Sequence, residues 1–313
     1  MFLQKLLPSR FLISNWIKYL VGSYGAGLEQ DLPLGRSLDM YFNKVVLLFL
    51  LRRSSIEAKG CKKQDFDQII AQSVDSWQHY DAGGMQILSV TGGSNQSKYN
   101  KTVVMLHGGG GAGYDWVCQY RDGWFGDLNG LKYVFPTSPL EGRVWFYTYK
   151  NGCGLGDDCA YDIPSIEQAA TNVADLLDEE AALLDGDRSK LYLGGFSEGA
   201  QLAGYMQIAK IDYALGGTII MDGYPIPPLC DMPGKDPSAA KQNASYTGDD
   251  MAWMIWHGEA DKIFPVDETM TAWNGIFDTL SIQATLKIEH IEPLQGHTLI
   301  EPEFEALTAF VRG

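Results

Sequence analysis

From about residue 85 onward, apolar positions along the chain fall into two alternating patterns. Short continuous apolar runs predict buried strands at Met85–Val90, Thr102–His107, Leu131–Pro136, Gly217–Met221, Met251–Trp256 and Ala284–Ile291, with a further run from Lys190 that ends at Gly194-Gly195. Between them lie stretches of helical period. The firmest is Ser165–Leu184, with Ile166, Ala170, Val173, Leu177 and Leu184 on one face and Gly186 as its stop. Gln201–Lys210 is helix-prone. Asp267 can cap a helix whose apolar face is Met270, Trp273, Phe277 and Leu280, and Phe304–Val311 reads as a closing helix. Gln68–Tyr80 mixes polar and apolar residues without a defined element. Continuously apolar strands alternating with helices predict an α/β fold. Its sheet should be mostly parallel and covered by helices on both faces, with no large cap domain. The region 60–313 reads as one domain.

Residues 1–58 are a different kind of sequence, an apolar and basic extension. Seven of the 24 Lys/Arg but only three of the 39 acids lie in residues 1–53. The apolar run Val45–Leu51 follows Lys44 and is too short to span a bilayer, which takes about 20 residues. It matches the lower limit of a signal-peptide core, about 7–15 residues, so a signal peptide starting at Met40 is one reading. Arg52-Arg53 immediately after the run fits that reading poorly, and the alternative is a packed or membrane-associated extension. Sequons at Asn95, Asn100 and Asn243, and Cys153 and Cys159 as a candidate disulfide closing a short loop, point toward a secreted or endomembrane-lumen protein. A cytoplasmic location is the alternative.

Composition removes several function classes. A net charge of −15 argues against nucleic acid or an anionic membrane as the main partner. Hydrophobic content of 45% with 12% aromatics is that of a globular domain with a sizeable core. Neither Cys-x-x-Cys nor His-x-x-x-His occurs, so no metal site is expected.

The chemistry centres on Gly195-Phe196-Ser197-Glu198-Gly199, a Gly-x-Ser-x-Gly between a strand run and a helix-prone segment. A serine on such a turn has its hydroxyl lifted clear of the sheet, at the positive end of the helix, and is the candidate nucleophile. A serine hydroxyl needs a base to take its proton and an acid to orient that base. Of the five histidines, His297 lies in a loop after the last strand, at the carboxyl edge where catalytic groups of parallel sheets collect. An imidazole, with an unperturbed pKa near 6.5, suits the task. Asp261 stands in the loop after a buried strand, between nucleophile and base in the order Ser–Asp–His. Asp222, at the end of the preceding strand, is the alternative acid. The backbone N–H of Glu198 and that of Gly109, in the glycine run after His107, are the candidate oxyanion donors. Trp116 and Trp145 are candidate pocket walls.

Taken together, Leu106-His107-Gly108-Gly109-Gly110 with Gly113 and Trp116, Phe135-Pro136 with Pro139, Gly194 to Ala200, His257-Gly258 with Asp261, Phe264 and Pro265, and Gly296-His297 resemble the phospholipase/carboxylesterase family of α/β-hydrolases, which includes acyl-protein thioesterases. The resemblance runs in order from about residue 85 to the C-terminus. It implies a Ser197–Asp261–His297 triad and an oxyanion hole from Gly109 and Glu198. The chain departs from the family at Glu198, where glutamine is usual, at Gly111, where an acid is usual, and across Glu141–Ile163. The expectation is therefore a serine hydrolase that cleaves small-molecule or lipid acyl esters through an acyl-enzyme, with no metal or organic cofactor. A thioesterase or lysophospholipase is the alternative within that chemistry, and a non-catalytic binding protein on the same fold is the alternative outside it.

Overall fold

In the computed structural model, residues 63–93, 99–148, 161–226, 251–282 and 286–313 are described. They belong to one unit, Glu57–Gly313. The N-terminal extension, the Cys153/Cys159 loop, and the sequons at Asn95 and Asn243 lie outside the described residues.

A helix α1 (Lys63–Gln72) leads into strands β1 (Ser76–Ala82), β2 (Met85–Thr91) and β3 (Lys101–Leu106). A short helix α2 (Trp116–Arg121) and strand β4 (Leu131–Thr137) follow, then the long helix α3 (Ile163–Ala182). Strand β5 (Leu191–Phe196) runs into helix α4 (Glu198–Tyr205), which continues as a π-helical turn over Met206–Lys210. Strands β6 (Gly217–Met221) and β7 (Ala252–Gly258), helix α5 (Val266–Leu280), strand β8 (Leu286–Glu292) and helix α6 (Glu301–Arg312) complete the chain.

The strands form one eight-stranded sheet in the order β1-β2-β4-β3-β5-β6-β7-β8. β1, β2 and β4 pair antiparallel, and every pairing from β4–β3 to β7–β8 is parallel. Alternate residues of the central strands face opposite helical layers. Val104, Leu106, Leu193, Ile220 and Ile255 pack with Ile166, Val173 and Leu177 of α3 and with Trp273 and Phe277 of α5. Val103, Met105, Tyr133, Phe135 and Met254 pack on the other side with Trp116 of α2 and Phe304 and Leu307 of α6. Burial of both faces is what the unbroken apolar runs encode.

Three expectations need correction. The sheet begins one strand earlier than Met85–Val90: β1 spans Ser76–Ala82, overlapping the segment left without an element, and carries His79 opposite Leu88. It is a half-exposed edge strand whose polar residues need no inward alternation. Asp267 does not cap α5. Pro265 occupies the cap position, and Asp267 lies in the first helical turn, where its charge still complements the helix dipole. The helix after Ser197 starts at Glu198, three residues before the apolar pattern suggested.

Candidate active site

The turn between β5 and α4 is built by steric exclusion. Ser197 has φ 55° and ψ −121°, a conformation that a non-glycine residue adopts only where its surroundings enforce it. A Cβ on Gly195 would lie 2.5 Å from the Gly199 carbonyl carbon, and one on Gly199 would lie 2.5 Å from the Leu106 and His107 carbonyl oxygens. Only glycines let α4 start this close to β5 and β3. The Ser197 N–H donates to Met221 O at 2.9 Å, and Ser197 O accepts from Gln201 N at 3.0 Å, so the turn is tied on both sides.

His297 meets this turn from the loop after β8. Its Nε2 lies 2.7 Å from Ser197 Oγ and its Nδ1 lies 2.8 Å from Asp261 Oδ2. Asp261 is 5% exposed, and its Oδ1 accepts the N–H groups of Ile263 at 2.7 Å and Phe264 at 3.1 Å. Phe196 and Phe264 flank the imidazole with ring centroids at 5.0 and 5.3 Å. The His297 loop is fastened by Gln295, which accepts from Trp256 Nε1 at 2.9 Å and donates to Thr298 O at 2.7 Å.

Asp222, the alternative acid, lies beneath this chain. It is 0% exposed, accepts from Gly258 N at 2.8 Å, and stands 3.8 Å from His257 Nδ1. Its hydrogen bonds go to the β7 end, to Gln295 at 3.4 Å and to the Thr298 backbone, with none to His297. Burial first, and then the charge of Asp261, push the Asp222 carboxyl up to about 8. Glu303, whose carboxylate accepts from Ile300 N at 2.8 Å, is likewise held well above the carboxylate range by burial and by Asp222. His257 donates Nε2–H to Phe264 O at 2.7 Å, and burial lowers its pKa. Burial thus resists ionisation of Asp222 and Glu303, and Asp261 is the acid in hydrogen-bond contact with His297. Ligand-type atoms of Asp222, Asp261 and His297 lie within 4.8 Å of one another, but each is already engaged in the hydrogen bonds above.

Opposite His297, the loop after β3 carries the glycines. Gly110 N–H donates to Arg143 O at 3.0 Å and Gly111 N–H to Gly108 O at 2.9 Å. The N–H groups of Gly109 and Glu198 take no partner among the described residues. A Cβ on Gly109 would lie 3.1 Å from Glu198 Oε2, which places the two donors' residues side by side.

The loop is clasped from outside the sheet by the segment Ser138–Tyr147. Ser138 N–H donates to His107 Nε2 at 3.1 Å, Ser138 Oγ donates to Val144 O at 2.6 Å, and Trp145 Nε1–H donates to His107 O at 2.7 Å. His107 in turn donates Nδ1–H to Gly108 O at 2.7 Å, and burial holds its pKa down to about 4, so it is a neutral strut. Trp145 is therefore not a pocket wall. It is 0% exposed and stacks at a tilt on His107, centroids 4.8 Å apart. Its indole needs a hydrogen-bond partner when buried, and the His107 carbonyl supplies it. Trp116 does line a cavity of about 240 Å³ beside the site, together with Gly109, Gln119, Phe196 and Leu299. A hollow of about 360 Å³ at Tyr80, Lys132 and Leu183 lies away from Ser197 and His297, and its Lys132 is spent on Glu180 at 2.8 Å. Sequence reasoning missed the clasp and the Glu198 side chain. The one available signal was glutamate where the family has glutamine.

Residues 90–312 match the model of the family described as phospholipase/carboxylesterase. Over 135 residues the chain is 27% identical to acyl-protein thioesterase 1 of Debaryomyces hansenii, a match spanning 39% of this chain and 56% of that protein. Over 173 residues it is 21% identical to acyl-protein thioesterase 1 homolog 1 of Dictyostelium discoideum, spanning 53% of this chain and 70% of that one. The chain thus aligns with only about half of the first of these relatives. Among solved structures, acyl-protein thioesterase 2 of Zea mays superposes with a TM-score of 0.53 at 22% identity, over 72% of this chain and 98% of that one, which speaks to the fold. With 223 consecutive positions matched, the chain belongs to the phospholipase/carboxylesterase family of α/β-hydrolases.

Proposed function

We propose that the protein is a serine hydrolase of carboxylic esters that works through an acyl-enzyme. The observation that carries this reading is the hydrogen-bonded chain Ser197–His297–Asp261, which starts on a strained turn facing two unpartnered backbone N–H groups. As His297 Nε2 takes the proton, Ser197 Oγ adds to the acyl carbonyl. Asp261 fixes the tautomer through Nδ1–H and balances the imidazolium that forms. The Gly109 and Glu198 N–H groups receive the oxyanion, and the imidazolium then protonates the leaving oxygen. Water, deprotonated by the same imidazole, releases the acid and frees Ser197.

A thioester substrate is the second reading, favoured by the names of the curated relatives, since the same acyl transfer serves both leaving groups. Both are tested by hydrolysis of a short p-nitrophenyl ester and of the matching acyl thioester. Turnover of either that is lost in Ser197→Ala is expected. Turnover retained by Ser197→Ala would refute the reading.

No helix among the described residues is long and apolar enough to cross a membrane. Cys118 is disulfide-bonded, and Asn100 is exposed. The disulfide fits an oxidising compartment and the exposed sequon is open to glycosylation, and on that basis we infer the secretory route, with the cytoplasm as the alternative.

A further inference from the structure

Glu198 has so far contributed only its backbone. Its side chain does not extend into solvent with the rest of the helix N-terminus. It turns back across the oxyanion loop, where Oε2 accepts the Trp145 N–H at 3.0 Å and the carboxyl group also accepts the Phe146 N–H. The same oxygen lies 3.1 Å from the position a Gly109 Cβ would take. The carboxyl group is thus wedged between the two residues assigned to hold the oxyanion and the segment that clasps their loop.

This placement has two consequences of opposite sign. As a hydrogen-bond acceptor, the carboxyl ties the Trp145–Phe146 backbone to α4, and through Trp145 Nε1–H to the His107 carbonyl at the start of the glycine loop. As a charge, a carboxylate here would face a developing oxyanion in a partly desolvated site, where like charges repel far more than in water. The neutral acid keeps the first role without the second, because its carbonyl oxygen can still accept the Trp145 N–H.

Resting on the hydrolase reading above, we propose that the Glu198 side chain is a positioning residue that holds the oxyanion loop in its neutral form and weakens oxyanion binding when it ionises. Turnover should then fall on the alkaline side as Glu198 loses its proton. Burial supports this: it outweighs the two backbone donors and pushes the carboxyl up to about 7.

Among the described residues, the charged groups on the elements around Glu198 are few. His107 and Asp115 lie on and beside the glycine loop, and Glu141 and Arg143 lie on the clasp. Ser197's partners His297 and Asp261, with Asp222 behind them, complete the set. His107 stays neutral above pH 5, since its pKa is down at about 4. Arg143 acts on His107 and Asp115 and has no part in the shift of Glu198. Asp222, at about 8, is the neighbour whose own ionisation could imitate the effect, and it serves as the control.

The test follows kcat/KM on a p-nitrophenyl ester, and the rate of fluorophosphonate labelling of Ser197, from pH 6 to 9. Wild type, Glu198→Gln and Asp222→Asn are compared, each checked for folding by circular dichroism. Wild type is expected to lose activity several-fold as pH rises through about 7, a decline that Glu198→Gln removes and Asp222→Asn keeps. Superimposed wild-type and Glu198→Gln profiles would overturn the proposal while leaving Ser197 as nucleophile. A decline removed by Asp222→Asn and kept by Glu198→Gln would overturn it too. If Glu198→Gln does not fold, wild type decides alone: labelling that stays level from pH 7 to 9 overturns the proposal. Absence of labelling at every pH would remove the hydrolase reading and this proposal together.

Discussion

The two walls of the site are held by different means. On the His297 side, Asp261 and the histidine loop hang directly from β7 and β8, and the polar groups beneath them are buried and interlocked through Gln295, Gly258 and Trp256. On the oxyanion side, the glycine loop is braced by a segment outside the sheet, through His107, Trp145 and Glu198. The walls also use acidic groups in opposite ways. The His297 wall sets the Asp261 carboxyl against the imidazole and surrounds it with groups whose charged forms burial disfavours. On the proposed oxyanion wall, negative charge would oppose the oxyanion, and the half-buried Glu198 carboxyl has its ionisation resisted by burial.

The comparison breaks first if Asp222 rather than Asp261 orients the imidazole. Asp261→Asn is expected to cut kcat by roughly 10³–10⁴-fold, since the wrong tautomer of His297 is then favoured. Asp222→Asn, which keeps a hydrogen-bonding group facing Gly258, is expected to cost less than about tenfold. Steady-state kinetics of the two variants on one ester decide it, and the reverse ranking would exchange their roles.

A smaller effect is expected on the other wall. Trp145→Phe keeps the buried ring against His107 but removes the Nε1–H bond to its carbonyl. Loss of one such bond is worth about 1 kcal/mol, so kcat should drop roughly five- to tenfold with KM nearly unchanged. A rise in KM with kcat intact would instead return Trp145 to a role in the substrate pocket.

How far these walls could be read from sequence follows the same division. The meeting of Ser197, Asp261 and His297 was legible because the acyl transfer proposed for them demands particular residue types after strand ends, and the apolar runs mark those ends. The choice between Asp261 and Asp222 was harder because both follow buried strands. The structure separates them by reach: Asp222 directly ends β6, whereas Asp261 stands three residues beyond β7 and so extends over the sheet edge to His297. The parallel sheet was legible from strands buried on both faces. β1 was not, because a half-exposed edge strand need not alternate. Trp145 was misread as a pocket wall because an aromatic residue near a glycine loop looks the same in sequence whether it faces a ligand or props the loop. What it does depends on a 38-residue separation that only folding closes. The Glu198 side chain was overlooked for a similar reason, since its backbone N–H already accounted for the position.

The central claim is that Ser197 is the nucleophile of an acyl-transfer site, and covalent labelling tests it most directly. Incubation with a fluorophosphonate ester, followed by peptide mapping, is expected to place one adduct on the peptide carrying Ser197 in wild type and none in Ser197→Ala. Equal labelling of both proteins, or of neither, would contradict the account.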